Sequence, residues 1–491
     1  MSQNSIATRI LKSSFWQYLG SWLDKLIGFI STIILARILV PDDFGVVAAT
    51  AIITGLFHVI SSVGTDLYLI RQKNISSLDL DTGWTINIIM KSLSGISIFL
   101  LADIISEYMG DARLVLVLQI VSLSSLLAGF NNIGMVLYEK DYNYRPRFMV
   151  RLTSRLLGFV VKVALALYLN NYWAFIIAEL VEVTVGLIGS FIAHPFRPRF
   201  SFSNWKKQWL FSQWILLKSI FVFVRFRVDN VLLSHFLPLE SLGVYTVSKD
   251  VASLPAGQII APIMEPLYVG LSEIHNDNFL FADRVYKALC LLFIIVLPIS
   301  LGIYVTADNI VYTLLGDKWH HVVPLVMIIT FTLIPGILGD FFTRVMTSMG
   351  RVKLLFQFEF FFGVTSISTY LILAKYMTLQ DFASLNVVLT SVNTFIVLLV
   401  LTQLSSLSFL RIFGLSFLPC LSAVAMLYAV LLINPFISIY SHLIQLFIQV
   451  SVGALLYFYL ITSFIYLFRN SVKEYQFIWK TFYLSIVSSK K

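Results

Sequence analysis

Residues 15–39 read FWQYLGSWLDKLIGFISTIILARIL, and this stretch decides the fold. At 1.5 Å per residue a helix of that length reaches ~37 Å, more than the ~30 Å hydrocarbon core of a bilayer. It is too long for the apolar segment of a secretion signal, carries Asp24 and Lys25 inside it, and lacks a small-residue cleavage pattern. It is therefore expected to stay in place as a first membrane span.

Comparable runs follow at 44–70, 84–106, 114–138, 148–169, 172–193, 210–237, 242–271, 285–305, 322–343, 354–374, 382–404, 415–433 and 444–468. The stretch 405–413 before the last two reads as an interfacial segment. Hydrophobic residues make up 58% of the chain and charged ones 12%, about half the charge of a soluble domain. The apolar excess must face lipid. The fold class that follows is all-α: a polytopic membrane protein of about 12–14 transmembrane helices. Trp16, Leu39, Asp42 and Gly45 recur as Trp214, Leu237, Glu240 and Gly243 at one constant offset. That repeat predicts two pseudo-symmetric six-helix lobes around a central cavity. The expected division is an N-terminal lobe at 1–200, a C-terminal lobe at 201–405, and 406–491 holding helices 13–14 and a cytoplasmic tail.

The net charge of +9 would raise the question of nucleic acid in a soluble chain. Here the basic residues gather in alternate loops, among them Lys140, Arg145, Arg147, Arg197, Arg199, Lys206 and Lys207. The positive-inside rule then predicts both termini cytoplasmic in a bacterial inner membrane, with no nucleic-acid partner. Cys290 and Cys420 fall inside apolar runs and read as small core residues. Trp16, Trp84, Trp173 and Trp319 near span ends read as an aromatic belt.

Neither a Walker A loop, nor a dinucleotide-binding glycine pattern, nor a zinc motif occurs, so no cofactor is expected. Loops are too short to hold a catalytic domain. The chemistry must lie with ionisable residues inside spans, which cost roughly 2.5–3.5 kcal/mol each at mid-membrane unless they face a partner or a wet cavity. Arg151, Arg155 and Lys162 share one helical face with Gly158 between them. Lys218, Arg225 and Asp229 repeat the pattern, the last two one turn apart. With Lys25 these basic residues form the candidate cationic cavity. Asp229, Glu179, Glu182 and Glu265 are candidates for charge pairing or ion coupling. The plainer readings are snorkelling of Arg151 and Arg155 to headgroups and simple charge pairing of the acids. Lys91, Lys249 and Arg344 are weaker cavity candidates. Pro255, Gly257, Pro262 and Pro266, and Pro335, Gly336 and Gly339, mark helix breaks.

The run Ala36-Arg37-Ile38-Leu39-Val40-Pro41-Asp42-Asp43-Phe44-Gly45 resembles a signature of polysaccharide flippases. Asn171-Tyr172-Trp173-Ala174, Arg227-Val228-Asp229-Asn230, Leu242-Gly243-Val244-Tyr245 and Leu315-Gly316-Asp317-Lys318-Trp319 extend the likeness. The chain resembles the polysaccharide transporter family, the Wzx-type flippases within the multidrug/oligosaccharidyl-lipid/polysaccharide exporter superfamily. That resemblance implies two lobes alternating access around a cationic cavity and an undecaprenyl-diphosphate-linked oligosaccharide as substrate. It also implies work alongside assembly proteins such as a polysaccharide polymerase. The rival readings are a cation or multidrug exporter of the same superfamily, which needs an anionic or aromatic cavity, and a membrane polymerase or ligase, which needs larger outer loops. The proline-rich segment 254–266 departs from the family pattern.

Overall fold

The computed structural model describes residues 3–255, 260, 264, 271, 277–405 and 407–488, and every described element is helical. Eleven of its helices are long and apolar enough to cross a membrane among the described residues, and a shorter apolar one spans Arg113–Gly129. Chain contacts divide the protein into two compact units, Met1–Val244 and Tyr245–Lys491.

The first unit holds α1 (Gln3–Ile38), α2 (Pro41–Ser61), α3 (Thr65–Arg71), α4 (Ser77–Met109), α5 (Arg113–Gly129), α6 (Met135–Lys140), α7 (Arg145–Leu169), α8 (Trp173–Ala193) and α9 (Trp205–Phe236), and the start of α10 (Leu239–Pro255). The apolar run 44–70 is not one helix. It breaks at Ser62–Gly64, where Gly64 takes the left-handed backbone (φ 68°) that favours glycine. The run 114–138 likewise stops at Gly129 and restarts as α6. Asn132 sits in that gap and clamps it: its amide nitrogen donates to the carbonyls of His194 (3.1 Å) and Phe196 (2.9 Å). Its backbone N–H donates to Ser190 Oγ. A Cβ on the adjacent Gly134 would lie 2.3 Å from the His194 ring, so only glycine lets the two loops close.

Four of the resemblance motifs lie in the first unit or at its edge, and three meet at one end of it. Pro41 takes the first position of α2, where no N–H is needed. Asp43, 7% exposed, caps the helix through Val40 N–H (3.3 Å) and accepts the N–H of Tyr172 (3.0 Å). Asp42 takes the Arg113 guanidinium in a two-pronged bond of 2.5 and 2.9 Å. Arg113 also grips Asp111, and although burial alone would raise the Asp111 carboxyl, these bonds hold it below the usual carboxylate range. Phe44 meets Phe175 edge-on at 5.5 Å. Gly45 lies against the Leu239 backbone, and Gly243 against those of Pro41 and Gly45. The contact is reciprocal across the internal repeat. The α1–α2 and α9–α10 joints also each leave two residues between helices, at the same offset as the repeat.

The second unit holds the rest of α10, then α11 (Asn278–Leu314), α12 (Val322–Ile329), α13 (Leu333–Ser348), α14 (Val352–Leu373), α15 (Leu379–Leu404), α16 (Phe409–Ile437), α17 (His442–Phe468) and α18 (Lys473–Ser488). Its core gathers on α11, with Val285, Leu289, Cys290 and Leu292 fully buried. Cys420 instead is exposed. The segment read as interfacial enters α16 from Phe409 onward. The tail carries a helix whose Glu474, 1% exposed, pairs with Arg411 at 2.5 Å. Around Pro335 a short 3-10 turn at Thr330–Thr332 interrupts the span, and Thr394 Oγ1 donates to the Pro335 carbonyl at 2.7 Å. A neighbouring helix thus takes up the backbone acceptor at the break. Trp319 and Trp84 are not belt residues: Trp319 is fully buried and Trp84 8% exposed, the latter packed on Phe130 and Phe200. Pro262, Pro266 and Gly257 lie outside the described residues.

Candidate functional site

α7 and α8 pack closely because Gly158 has no side chain: a Cβ there would meet Glu182 at 3.1 Å. This approach sets Arg155 of α7 opposite Glu182 of α8, with Arg155 Nη1 donating to both carboxylate oxygens at 3.1 Å. Two turns further along α7, Lys162 stands over the Phe175 ring with its Nζ 5.2 Å from the centroid. Arg155, Lys162, Glu179 and Glu182 line one cavity of about 500 Å³ in the first unit, together with Thr50 and Thr54 of α2.

The α2 wall is polar by helical spacing. Thr50, Thr54, His58 and Ser61 fall at intervals of four, four and three, which keeps them on one face. Sequence reading passed over this stripe because each residue alone is bland. His58 and Ser61 of the stripe also line a second, adjoining compartment of about 270 Å³ together with Lys91 and Ser124. Thr54 and Glu179 border both spaces. Such an arrangement offers fixed cations, carboxylate acceptors and hydroxyls to a strongly polar solute inside a helix bundle of membrane length.

The remaining candidates fall elsewhere. Arg151 is exposed and pairs with Asp24 of α1, so it stands outside the cavity lining. Asp24 thus pairs with Arg151 across helices, and its neighbour Lys25 is exposed and also outside the lining. Asp229 is 3% exposed and its carboxylate accepts the Asn230 N–H at 2.9 Å. The Lys218 and Arg225 side chains and the whole of Glu265 lie outside the described residues. Lys91, weak on sequence, proves to line the second compartment, whereas Arg344 pairs within its own helix with Asp340 at 3.1 Å. Lys249 stands over Tyr245, its Nζ 5.0 Å from the ring centroid.

Comparison with known proteins follows the same lines. Residues 34–324, more than half of the chain, match the family described as polysaccharide biosynthesis protein. Escherichia coli K12 lipopolysaccharide biosynthesis protein WzxC is 23% identical over 73% of this chain and 73% of its own. An uncharacterized membrane protein in the cps region of Klebsiella pneumoniae is 24% identical, covering 72% of this chain and 74% of its own length. Succinoglycan biosynthesis transport protein ExoT of Rhizobium meliloti 1021 is 23% identical over 65% of each. The lipid II flippase MurJ, solved in an inward closed conformation, superposes with a TM-score of 0.76 at 13% identity, covering 92% of this chain and 98% of that one. At that identity the likeness establishes the fold.

Proposed function

The chain belongs to the polysaccharide biosynthesis protein family, and from that premise we propose that it flips lipid-linked oligosaccharide across the bacterial inner membrane. The cargo in this reading is a surface-polysaccharide repeat unit on undecaprenyl diphosphate, moved from the cytoplasmic to the periplasmic leaflet by alternating access. The observation that carries the reading is the cavity of Arg155, Lys162, Glu179 and Glu182 among membrane-length helices. The protein acts as a carrier and not an enzyme, and hands its cargo to a polymerase and other assembly proteins.

A sugar diphosphate cannot cross hydrocarbon unaided, because each ion forfeits its hydration there. The cavity replaces that hydration while the polyprenyl tail stays in lipid. Arg155 offers a planar fork of donors suited to phosphate oxygens, and Glu182 holds that fork in place. Lys162 adds a compact charge, and the carboxylates accept sugar hydroxyls. Outward movement of the anionic head across an inside-negative membrane is favoured by ~2.3 kcal/mol per charge per 100 mV. Cells lacking the protein are expected to accumulate lipid-linked repeat units on the cytoplasmic leaflet and to lose surface polysaccharide. Extraction and mass analysis of the lipid-linked pool measures this. Sensitivity to a toxic cation with surface sugar intact would instead identify a drug exporter.

In the same reading both termini and the loop carrying Lys206 and Lys207 face the cytoplasm, following the basic-residue asymmetry. A cysteine placed at Lys206 is expected to stay unlabelled by an impermeant maleimide added to intact cells, and to react once the inner membrane is opened. Labelling in intact cells would reverse the orientation.

A further inference from the structure

A cavity of about 500 Å³ in the second unit lies between the first turns of α16 and the residues that follow α17. α16 and α17 are each long and apolar enough to cross a membrane. The cavity sits where one span begins and the other has just ended, which is the level of lipid headgroups. At its mouth the Arg411 guanidinium is already fixed: Nη2 donates to Glu474 at 2.5 Å, and its carbon lies 4.1 Å from the centroid of the Tyr286 ring. Tyr286 is pinned in turn, its hydroxyl accepting the Ser408 N–H at 2.6 Å. The other guanidinium donors meet no protein acceptor among the described residues. Lys473, across the mouth in the first turn of α18, is exposed and makes no ion pair among the described residues. Two cations against the one carboxylate of Glu474 leave the lining with a single positive charge. The wall changes character with depth. Arg411, Gly414, Leu415 and Leu418 share one face of α16, and over ~10 Å that face passes from a charge to plain hydrocarbon.

We propose that this cavity seats the headgroup of one anionic membrane phospholipid of the phosphatidylglycerol class. Arg411 and Lys473 take the phosphate, and the glycerol with the first carbons of the chains lies against Leu415 and Leu418. Charge decides the class. A headgroup with one negative charge balances the lining, whereas phosphatidylcholine brings its own cation and leaves the surplus in place. The apolar wall decides the source, because free phosphate or a soluble anion would leave Leu415, Leu418 and Val472 uncovered. Size decides the extent: about 500 Å³ equals roughly seventeen water volumes at ~30 Å³ each, room for a headgroup and glycerol but not for two acyl chains, which stay in the bilayer. Ser471 and Glu474 border the same space and suit the hydroxyls of the headgroup glycerol. A lipid so held bridges the start of α16 to the start of α18, adding to the Arg411–Glu474 pair that already joins them. The site uses none of the residues assigned to the cargo and does not depend on what the cargo is.

The test uses the full-length protein in neutral detergent. Native mass spectrometry counts the lipids it retains when phosphatidylglycerol or phosphatidylcholine with the same chains is added, and thermal midpoints are read in parallel. The wild-type protein is expected to keep one phosphatidylglycerol that phosphatidylcholine does not replace, and to gain heat stability from phosphatidylglycerol alone. Gly414→Leu is the decisive variant. Nothing lies within 4 Å of a Cβ at Gly414, so the new side chain fills the cavity without a backbone clash and favours the helix. It should lose that lipid while its lipid-free midpoint stays at the wild-type value or above. Lys473→Gln should weaken retention about fivefold, and because Lys473 is exposed this variant keeps the test decisive should Gly414→Leu misfold. Equal retention of the two lipids, displacement of phosphatidylglycerol by inorganic phosphate, or full retention by folded Gly414→Leu or Lys473→Gln would overturn the site.

Discussion

Replacing Gly45 by alanine is expected to remove most of the folded protein from the membrane, and Gly243→Ala is expected to do the same. A Cβ on Gly45 would lie 2.0 Å from the Leu239 carbonyl oxygen and 2.4 Å from its carbon. One on Gly243 would lie 2.3 Å from the Pro41 oxygen and 2.5 Å from the Gly45 nitrogen. Every one of these atoms is backbone, so no rotamer change relieves the clash and the starts of α2 and α10 must move apart. That movement would strain the Asp43 cap and its bond to Tyr172, on the same helix turn. The loss should exceed the ~1–3 kcal/mol of ordinary overpacking. Fluorescence-detected size exclusion after heating measures it, with Gly336→Ala and Gly363→Ala as controls, since nothing lies within 4 Å of a Cβ at either place. A wild-type thermal midpoint for Gly45→Ala would show that the close approach is not required.

The second large effect is on transport. Arg155→Ala is expected to cut surface polysaccharide about tenfold or more at normal protein level, the loss of a charge-assisted contact worth ~1.5–3 kcal/mol. Arg155→Lys should restore little, because Nη1 alone meets both Glu182 oxygens and an ammonium lacks the further planar donors a guanidinium offers to phosphate. Lys162→Ala should act on transport with little effect on stability, since among the described residues it makes no ion pair and rests on Phe175. The exchange Arg155→Glu with Glu182→Arg separates a structural pair from a working one. It should recover protein level and thermal midpoint but not polysaccharide, because the cation then projects from α8 and not from α7. Full polysaccharide from the exchanged protein would reduce Arg155 to a structural partner of Glu182.

Eleven of the fourteen runs were legible as membrane-length helices because length and apolarity determine them; 114–138 stops at Gly129, 210–237 falls in the less apolar α9, and 242–271 lies largely outside the described residues. Of the repeat, Leu39, Asp42 and Gly45 and their counterparts fall at or beside helix joints, whereas Trp16 and Trp214 lie within α1 and α9. The break at Ser62–Gly64 was not legible, since serine and valine there leave the apolar run unbroken and only the Gly64 backbone marks the turn. Arg155 and Lys162 were legible from phase on α7. Their company was not: the pairing with Glu182 depends on how closely α8 approaches Gly158, which no single-helix periodicity reports. Lys91 and His58 looked isolated along the chain and come together only in the packing of α2 and α4. The resemblance motifs have a further lesson. Their Asp42, Asp43, Gly45, Tyr172 and Gly243 secure helix ends, and the cavity's charged residues lie outside them, so motif and site are separate parts of this protein.

The Asn132 clamp bears on how the protein is made. All its partners, Ser190, His194 and Phe196, precede residue 200, so the loops after α5 and α8 can be joined before the second unit has left the ribosome. Synthesis of the ~250 residues beyond Val244 takes ~12–50 s at ~5–20 residues per second, ample time for the early helices to settle in the bilayer. The cavity lining belongs wholly to these early helices, so a chain arrested in mid-synthesis would already carry it.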